Sequence, residues 1–165
     1  MNDSPNAELP PAAQRVRAAL LAENARADIR QLTASARTAQ EAADALGVVV
    51  GQIAKSLIFR GRDSDRAVLV IAAGDRRVDE ARVGGLLGEP IERAKPEFVR
   101  ARSGFAIGGV APVGHAAAMV VYVDRTLRRF DTVWAAAGTP HCVFPIVPDE
   151  LLRVSGGTEA DVAAA

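Results

Sequence analysis

Lys55 and Ser56 are the residues of this sequence whose chemistry is least expected from their surroundings. They lie within an apolar stretch, residues 53–59, that has the composition of a buried strand entered through Gly51. An ammonium group is costly to bury without a partner. Either the stem of Lys55 packs while its amine reaches water, or the amine faces a pocket and binds an anionic or carbonyl oxygen.

A glycine-rich segment, residues 108–114, is the second candidate for chemistry. It holds Gly108, Gly109, Pro112 and Gly114. Glycine lets main-chain N–H groups approach a ligand closely, and such donors can stabilise a carbonyl oxygen that gains charge during acyl transfer. The alternative is a tight connection packed beneath a helix. No Gly-Lys-Ser/Thr sequence follows, so the segment is not a phosphate-binding P-loop.

The histidines and the cysteine offer weaker candidates. His115 and His141 could each act as a general base, or each could be an ordinary hydrogen-bonding residue. Cys142 follows His141 directly, and neighbours on a strand point to opposite faces, so the pair is a poor catalytic dyad. We interpret Cys142 as a small core residue, with a nucleophile as the alternative. A single cysteine excludes an intramolecular disulfide, and with only two histidines it disfavours a metal site rich in histidine or cysteine. Carboxylate ligands stay open as an alternative, and we predict no metal and no cofactor.

Composition limits the class of partner. A chain of 165 residues with 49% hydrophobic content can build one sizeable core, and its formal net charge of zero argues against coating of nucleic acid by bulk electrostatics. Without a long apolar run or a signal-peptide pattern, we expect a soluble cytoplasmic protein. Several arginines fall near strand ends, where they could form a phosphate-contacting patch or simply be dispersed: Arg60, Arg62, Arg76, Arg77, Arg125, Arg128 and Arg129.

Periodicity and capping signals predict the elements that must position these residues. Helices are predicted at 12–24, 39–46, 79–87 and 96–102, from Pro148 onward, and as a weak tail at 158–165. Strands are predicted at 27–32, 51–60, 67–72, 119–124, 132–136 and 142–147. Helices and strands intermix without regular alternation, which indicates an α+β domain with a mixed sheet. Residues 1–11 are predicted to be a flexible tail and residues 12–165 a single domain.

Three segments, in this order, resemble one known family. They are residues 53–59 (IAKSLIF), residues 104–115 (GFAIGGVAPVGH) and residues 133–138 (VWAAAG). They are similar to the signature strand, the G-x-x-x-P loop and the final small-residue segment of the YbaK/ProX family. These proteins are free-standing aminoacyl-tRNA deacylases related to the editing insertion domain of bacterial prolyl-tRNA synthetases. The resemblance implies a curved, partly barrel-like sheet flanked by helices.

The resemblance also implies roles for individual residues. Lys55 would lie beside the aminoacyl ester and the terminal adenosine, and would position the phosphate or carbonyl rather than attack it. Gly108 and Gly109 would supply main-chain donors, and a neighbouring ribose hydroxyl would activate water. The residues expected to bind substrate are Ser56, Val110, Ala111, Pro112, Ala137, Gly138 and His141.

The expected function is trans-editing, the hydrolysis of a wrongly attached small amino acid of the Ala, Ser or Thr class from tRNA. The expected partners are the 3′ end of aminoacyl-tRNA and an aminoacyl-tRNA synthetase, without membrane or DNA. Two alternatives stay open. One is a non-catalytic module that binds tRNA 3′ ends or a synthetase, and the other is a hydrolase with Cys142 as nucleophile.

Overall fold

A computed structural model describes residues 8–164. Its helices are α1 (Pro11–Ala22), α2 (Ala39–Leu46), α3 (Glu80–Leu87), α4 (Pro96–Ser103) and α5 (Pro148–Ser155). Its strands are β1 (Arg30–Gln31), β2 (Ile53–Gly61), β3 (Ala67–Ala73), β4 (Ile91–Arg93), β5 (Val120–Asp124), β6 (Val133–Ala136), β7 (Cys142–Ile146) and β8 (Thr158–Ala160). None of these helices is both long enough and apolar enough to cross a membrane.

Two helices begin at side-chain caps that the sequence predicts. The Thr38 hydroxyl accepts a hydrogen bond from the main-chain N–H of Glu41, whose carboxylate accepts one from the Thr38 N–H, so α2 starts with a capping box. Asp79 caps the first turn of α3 through its side chain, which accepts from the N–H of Arg82. Both helices end at a glycine in the left-handed region, at residue 47 with φ 70° and at residue 88 with φ 91°. Local sequence is therefore sufficient to define both helices.

The strands form one mixed sheet in the order β1-β7-β6-β2-β3-β5-β8, with β4 added to an edge of β2. Strand β2 pairs antiparallel with β3 and parallel with β6, and β3 pairs parallel with β5. The sheet does not close on itself, because β1 and β8 lie at its two ends. The predicted α+β fold with a mixed sheet and flanking helices is confirmed.

Pairing along one side of β2 is interrupted, and this interruption positions the site. Strand β6 pairs with Ile53 and Ala54, whereas β4 pairs only from Phe59 onward. Between them, Lys55 and Ser56 have no strand partner on that side among residues 8–164. The sheet therefore has a gap beside Lys55.

The two faces of the sheet are covered by different cores. One core contains Ala54 and Ile58 of β2 together with residues of α1, α4 and α5. The other contains Phe59 of β2 and Val83 of α3, with Leu57 packed against it. Because side chains alternate along a strand, Lys55 belongs to the face of Leu57 and Phe59.

The structure differs from the predicted secondary structure at three places. The predicted helix at 158–165 is wrong over the described residues 158–164, because Thr158–Ala160 form β8, which pairs parallel with β5. Strand β4 is absent from the elements that the sequence predicts. The predicted strand at 27–32 is only two residues long as β1.

The predicted tail at 1–11 lies mostly outside the described residues, since 1–7 are not described. Within its remainder, Leu9 packs against the core and α1 begins at Pro11. The main-chain oxygen of Glu8 accepts a hydrogen bond of 2.7 Å from the side chain of Gln31.

Candidate functional site

A cavity of about 330 Å³ lies at the gap in the sheet. Its walls come from β2, from the segment before α2, from β4, from β6 and from the glycine-rich loop after α4. Lys55 of β2 lines it, as do Gly108 and Val110 of the loop. The strand and loop identified from the sequence therefore converge on one cavity. Apolar side chains supply most of the rest of the lining: Ala36, Ala39, Ala42, Ile53, Ala54, Ile58, Ala94, Val99, Ile107, Trp134, Ala135, Ala136 and Val143.

The Lys55 amine is half-buried and has no carboxylate of residues 8–164 in ion-pair contact. Burial lowers the pKa of Lys55, because desolvation penalises its charged form, and the charge of Arg93 lowers it further. Asp75 and Asp124 act in the opposite direction without contacting the amine. The amine therefore lacks a carboxylate contact within the described part of the chain and belongs to a residue that lines the cavity.

The two carboxylates that raise the pKa of Lys55 are bound to other groups. Asp75 accepts hydrogen bonds from both terminal nitrogens of Arg129, at 2.9 and 2.7 Å. Asp124 is buried and accepts hydrogen bonds from the main-chain N–H groups of Ala73, at 3.1 Å, and Thr126, at 2.9 Å. These bonds hold both carboxylates away from the lysine, so the amine is available to a ligand.

The glycine-rich loop is closely packed at two points. Gly108 has φ 92° and faces the side chain of Arg37. A Cβ atom on Gly109 would lie 2.8 Å from the Cα of Thr139 and 2.9 Å from the main-chain oxygen of Gly138. Glycine at 109 is thus required for the loop to lie against the segment that follows β6.

Side chains outside the cavity hold this loop in place. The ring Nε2 of His115 lies 2.7 Å from the main-chain oxygen of Ala111, and burial lowers the pKa of His115. Arg15 of α1 donates a 2.6 Å hydrogen bond to the oxygen of Gly104 and stacks over the ring of Phe105. His115 is therefore placed to support the loop rather than to reach substrate.

The residues predicted to form the site fall into two groups. Lys55, Ser56, Gly108 and Val110 line the cavity. The other six do not: Gly109, Ala111, Pro112, Ala137, Gly138 and His141. Of these, the first three are buried within the glycine-rich loop, and Ala137 and Gly138 are buried behind β6, where a Cβ on Gly138 would lie 2.8 Å from the main chain of Ala12. His141 is exposed.

Ser56 carries a buried hydroxyl without a hydrogen-bond partner among residues 8–164. The main-chain oxygen of Ile58 points to the side of β2 where the gap lies, because it accepts a hydrogen bond from Ala94. Main-chain direction repeats every two residues along a strand, so the main-chain oxygen of Ser56 points to the same side. An unsatisfied buried hydroxyl costs about 1–3 kcal/mol. A ligand polar atom in the cavity would remove this cost.

Among the cavity residues that the sequence did not identify are two cations and one large aromatic residue. Arg37 and Arg93 are exposed cations on its rim, and Trp134 lies in its wall beneath the guanidinium of Arg30, which is 4.8 Å from the ring centre. Arg93 belongs to the unpredicted strand β4, so no signal placed it near Lys55. Trp134 was visible as the one bulky residue in the small-residue segment 133–138.

The arginines considered as a phosphate patch are mostly bound to carboxylates. Arg60 and Arg62 pair with Glu92, Arg128 pairs with Asp149 and Glu159, and Arg129 with Asp75. Arg77 and Arg125 form no ion pair with any carboxylate of residues 8–164. Within this same range, no group of three His, Cys, Asp or Glu side chains could hold a metal ion.

Cys142 is fully buried and does not line the cavity. Burial raises the pKa of its thiol, which disfavours the thiolate that a nucleophile needs. We expect Cys142→Ser to leave kcat/KM for ester hydrolysis unchanged while lowering the free energy of unfolding by about 1–3 kcal/mol, because a hydroxyl replaces a thiol in the core. Steady-state kinetics and urea denaturation measure the two effects. A folded Cys142→Ser protein without activity would restore the nucleophile hypothesis.

Comparisons with known proteins agree with this geometry. The model of the aminoacyl-tRNA editing domain matches residues 33–154. The uncharacterised protein YwhH of Bacillus subtilis is 37% identical over 128 residues, which are 78% of this chain and 81% of YwhH. A proline–tRNA ligase of Thermosipho melanesiensis is 39% identical over 83 residues, 50% of this chain but only 14% of the ligase.

Among solved structures, a protein proposed to be a trans-editing enzyme for prolyl-tRNA synthetase superimposes with a TM-score of 0.88 at 43% identity, covering 96% of this chain and all of the other. The predicted relationship to the YbaK/ProX proteins and to the synthetase editing domain is confirmed, as is the predicted enzyme class, an aminoacyl-tRNA deacylase. The chain belongs to the aminoacyl-tRNA editing domain family.

Proposed function

We propose that this protein hydrolyses the ester of mischarged tRNA carrying a small amino acid of the Ala, Ser or Thr class, acting in trans in the cytoplasm on the product of a synthetase. In this proposal Lys55 and the main chain of residues 108–112 position the ester at the 3′ end of the tRNA. The observation that supports it best is the shared cavity. Lys55 reaches it from β2, and Gly108 reaches it from the loop.

The chemistry requires positioning rather than a protein nucleophile. Water adds to the ester carbonyl carbon, the bond between that carbon and the ribose oxygen breaks, and the proton from water ends on the ribose oxygen. The neighbouring ribose hydroxyl orients or activates the water. The carbonyl oxygen gains negative charge in this step. The ammonium group of Lys55 and the main-chain N–H groups of Gly108 and Val110, which line the cavity, are suited to stabilise it, whereas the Gly109 N–H donates to the main-chain oxygen of Ala106.

The lining of the cavity supports a small side chain. At about 330 Å³ the cavity is at the lower end of the range for ligand pockets, and it must also hold part of the terminal nucleoside. Ile53, Trp134 and Val143 occupy space that a larger amino acid would need. An apolar wall rejects an added hydroxyl poorly, so alanine, serine and threonine form one class for such a site.

A panel of mischarged tRNAs tests this proposal. We expect catalytic amounts of the protein to release alanine, serine or threonine, and to act at least about tenfold more slowly on leucine and phenylalanine esters, since each added methylene that does not fit is worth about tenfold or more. Cysteine should be included because its side chain is close in size to that of serine but less polar. Comparing the cysteine and serine esters therefore separates the effect of size from that of polarity. The readout is kcat/KM from the loss of labelled amino acid.

The same panel can contradict the proposal in two ways. Retention of tRNA on the protein with no ester loss would favour a non-catalytic module that binds the 3′ end. Faster hydrolysis of leucine or phenylalanine esters than of alanine esters would overturn the assigned substrate class while leaving the deacylase activity intact.

A further inference from the structure

A second cavity, of about 310 Å³, adjoins the first across β2. Its walls come from the turn after β3, from the first residue of α3, and from β2 and β4. Lys55 and Arg93 line both cavities. A ligand that fills the first cavity and contacts Lys55 therefore lies next to the residues that border the second.

The second cavity carries an excess of positive charge. Four cations line it, Lys55, Arg76, Arg77 and Arg93, against the two carboxylates Asp75 and Glu80. Asp75 is already held by two hydrogen bonds from Arg129. Glu80 offsets only one of the four cations, so the cations repel one another, and an anion placed between them would relieve this repulsion.

Arg76 provides an unused hydrogen-bond donor in this cavity. Its Nε is buried and has no hydrogen-bond partner among the described residues, and the nearest ion-pair contact, to an Asp75 oxygen, is 3.9 Å long. Its side chain is 38% exposed, so the guanidinium spans the interior and the surface. Guanidinium groups match the oxygen geometry of phosphates better than ammonium groups do.

The turn that carries these arginines is fixed by the C-terminal segment. The main-chain N–H of Ala164 donates to the oxygen of Arg77 at 2.8 Å, and that of Asp79 donates to the oxygen of Val162 at 2.8 Å. Val78 also bridges to Ala163. The cations are therefore presented on a supported backbone.

We propose that the second cavity binds a phosphodiester of the single-stranded 3′ end, next to the terminal nucleoside held in the first cavity, with Arg76 and Arg77 as its ligands. The inference rests on the proposed function for its substrate. An RNA strand is favoured over an acidic peptide because the group bound in the second cavity must be covalently connected to the 3′ ester bound in the first. The strand supplies one negative charge per nucleotide at the position where the cations lie.

Two substrates that differ in phosphate content test the proposal. One is an aminoacylated minihelix, and the other is the aminoacyl ester of adenosine, which has no phosphodiester. We expect Arg77→Gln and Arg76→Gln each to raise KM about tenfold for the minihelix and to leave hydrolysis of the nucleoside ester unchanged, because each removes one charge-assisted hydrogen bond. The slope of log affinity against log salt concentration for minihelix binding should become shallower by about 0.7 in each variant, since each neutralises one phosphate fewer.

Arg17→Gln is the matched control, since Arg17 is an exposed arginine of α1 that lines neither cavity. Arg17→Gln should change neither the KM for the minihelix nor the hydrolysis of the nucleoside ester. Equal losses on both substrates in Arg77→Gln and Arg76→Gln, or no loss on either, would overturn the proposal.

A binding arm separates this proposal from the proposed function. Fluorescence anisotropy with a labelled CCA trinucleotide measures binding to the cavity even if no ester is hydrolysed. We expect Arg77→Gln to weaken trinucleotide binding about tenfold and Arg17→Gln to leave it unchanged. Displacement of the trinucleotide by an equal concentration of inorganic phosphate, or of an acidic peptide, would assign the cavity to other anions and overturn the proposal.

Discussion

Lys55→Ala is expected to lose deacylase activity by about 100-fold or more while the protein stays folded. The amine is the cation without a carboxylate contact that the strand brings to the cavity, so its removal takes away charge stabilisation of the carbonyl oxygen. Folding should not suffer, because burial already disfavours the charged amine and lowers its pKa. Single-turnover hydrolysis of a mischarged tRNA, together with thermal denaturation, measures both effects.

Two further variants make this test specific. Lys55→Met keeps a long stem without the charge, and we expect it to be as inactive as Lys55→Ala. Lys95→Ala removes the other lysine, which is exposed at the start of α4 and lines neither cavity, and should retain full activity. A folded Lys55→Ala protein with undiminished turnover would falsify the assigned role.

Gly109→Ala is expected to disrupt the glycine-rich loop that lines the cavity together with Lys55. The new methyl group would meet main-chain atoms of Thr139 and Gly138 at 2.8–3.0 Å, and a backbone contact cannot be relieved by rotating a side chain. We expect the free energy of unfolding to fall by about 1–3 kcal/mol. We also expect kcat/KM to fall about tenfold or more, because the main-chain donors of Gly108 and Val110 shift relative to the ester. Urea denaturation and steady-state deacylation of a mischarged tRNA measure the two effects.

The same substitution at Gly85 provides the control. Gly85 lies in α3, and a Cβ there would have nothing within 4 Å. Gly85→Ala should raise the free energy of unfolding by about 0.5–1 kcal/mol, since alanine is the better helix former, and leave activity unchanged. If Gly109→Ala and Gly85→Ala behaved alike, close packing of the loop would not explain the glycine.

Sequence was sufficient where local chemistry decides structure. The capping box at Thr38 and the cap at Asp79 specify α2 and α3 without reference to the rest of the chain. Strand β4 shows the opposite case. Its three residues carry too short a pattern to be recognised, and they are a strand because the free edge of β2 pairs with them. Thr158–Ala160 likewise became β8 through pairing with β5.

The residues of the site also divide into those that local sequence identifies and those that only the fold brings together. Lys55 and the glycine-rich loop stand out because a lysine in an apolar strand and clustered glycines are unusual by themselves. Arg93, Arg76 and Asp75 come into the neighbourhood of Lys55 only through the register of β4 and the turn after β3. No spacing in the sequence encodes that juxtaposition, so the second cavity could not be predicted.

The position of Lys55 between two cavities has a practical consequence for spectroscopy. The chain contains only two lysines, Lys55 and Lys95, so isotopic enrichment of lysine yields two side-chain signals. One of them comes from the amine that borders both cavities, and the other from a solvent-exposed reference at the entrance to α4. Ligand binding in either cavity can thus be followed by nuclear magnetic resonance at the Lys55 amine, in the intact molecule and without an attached dye.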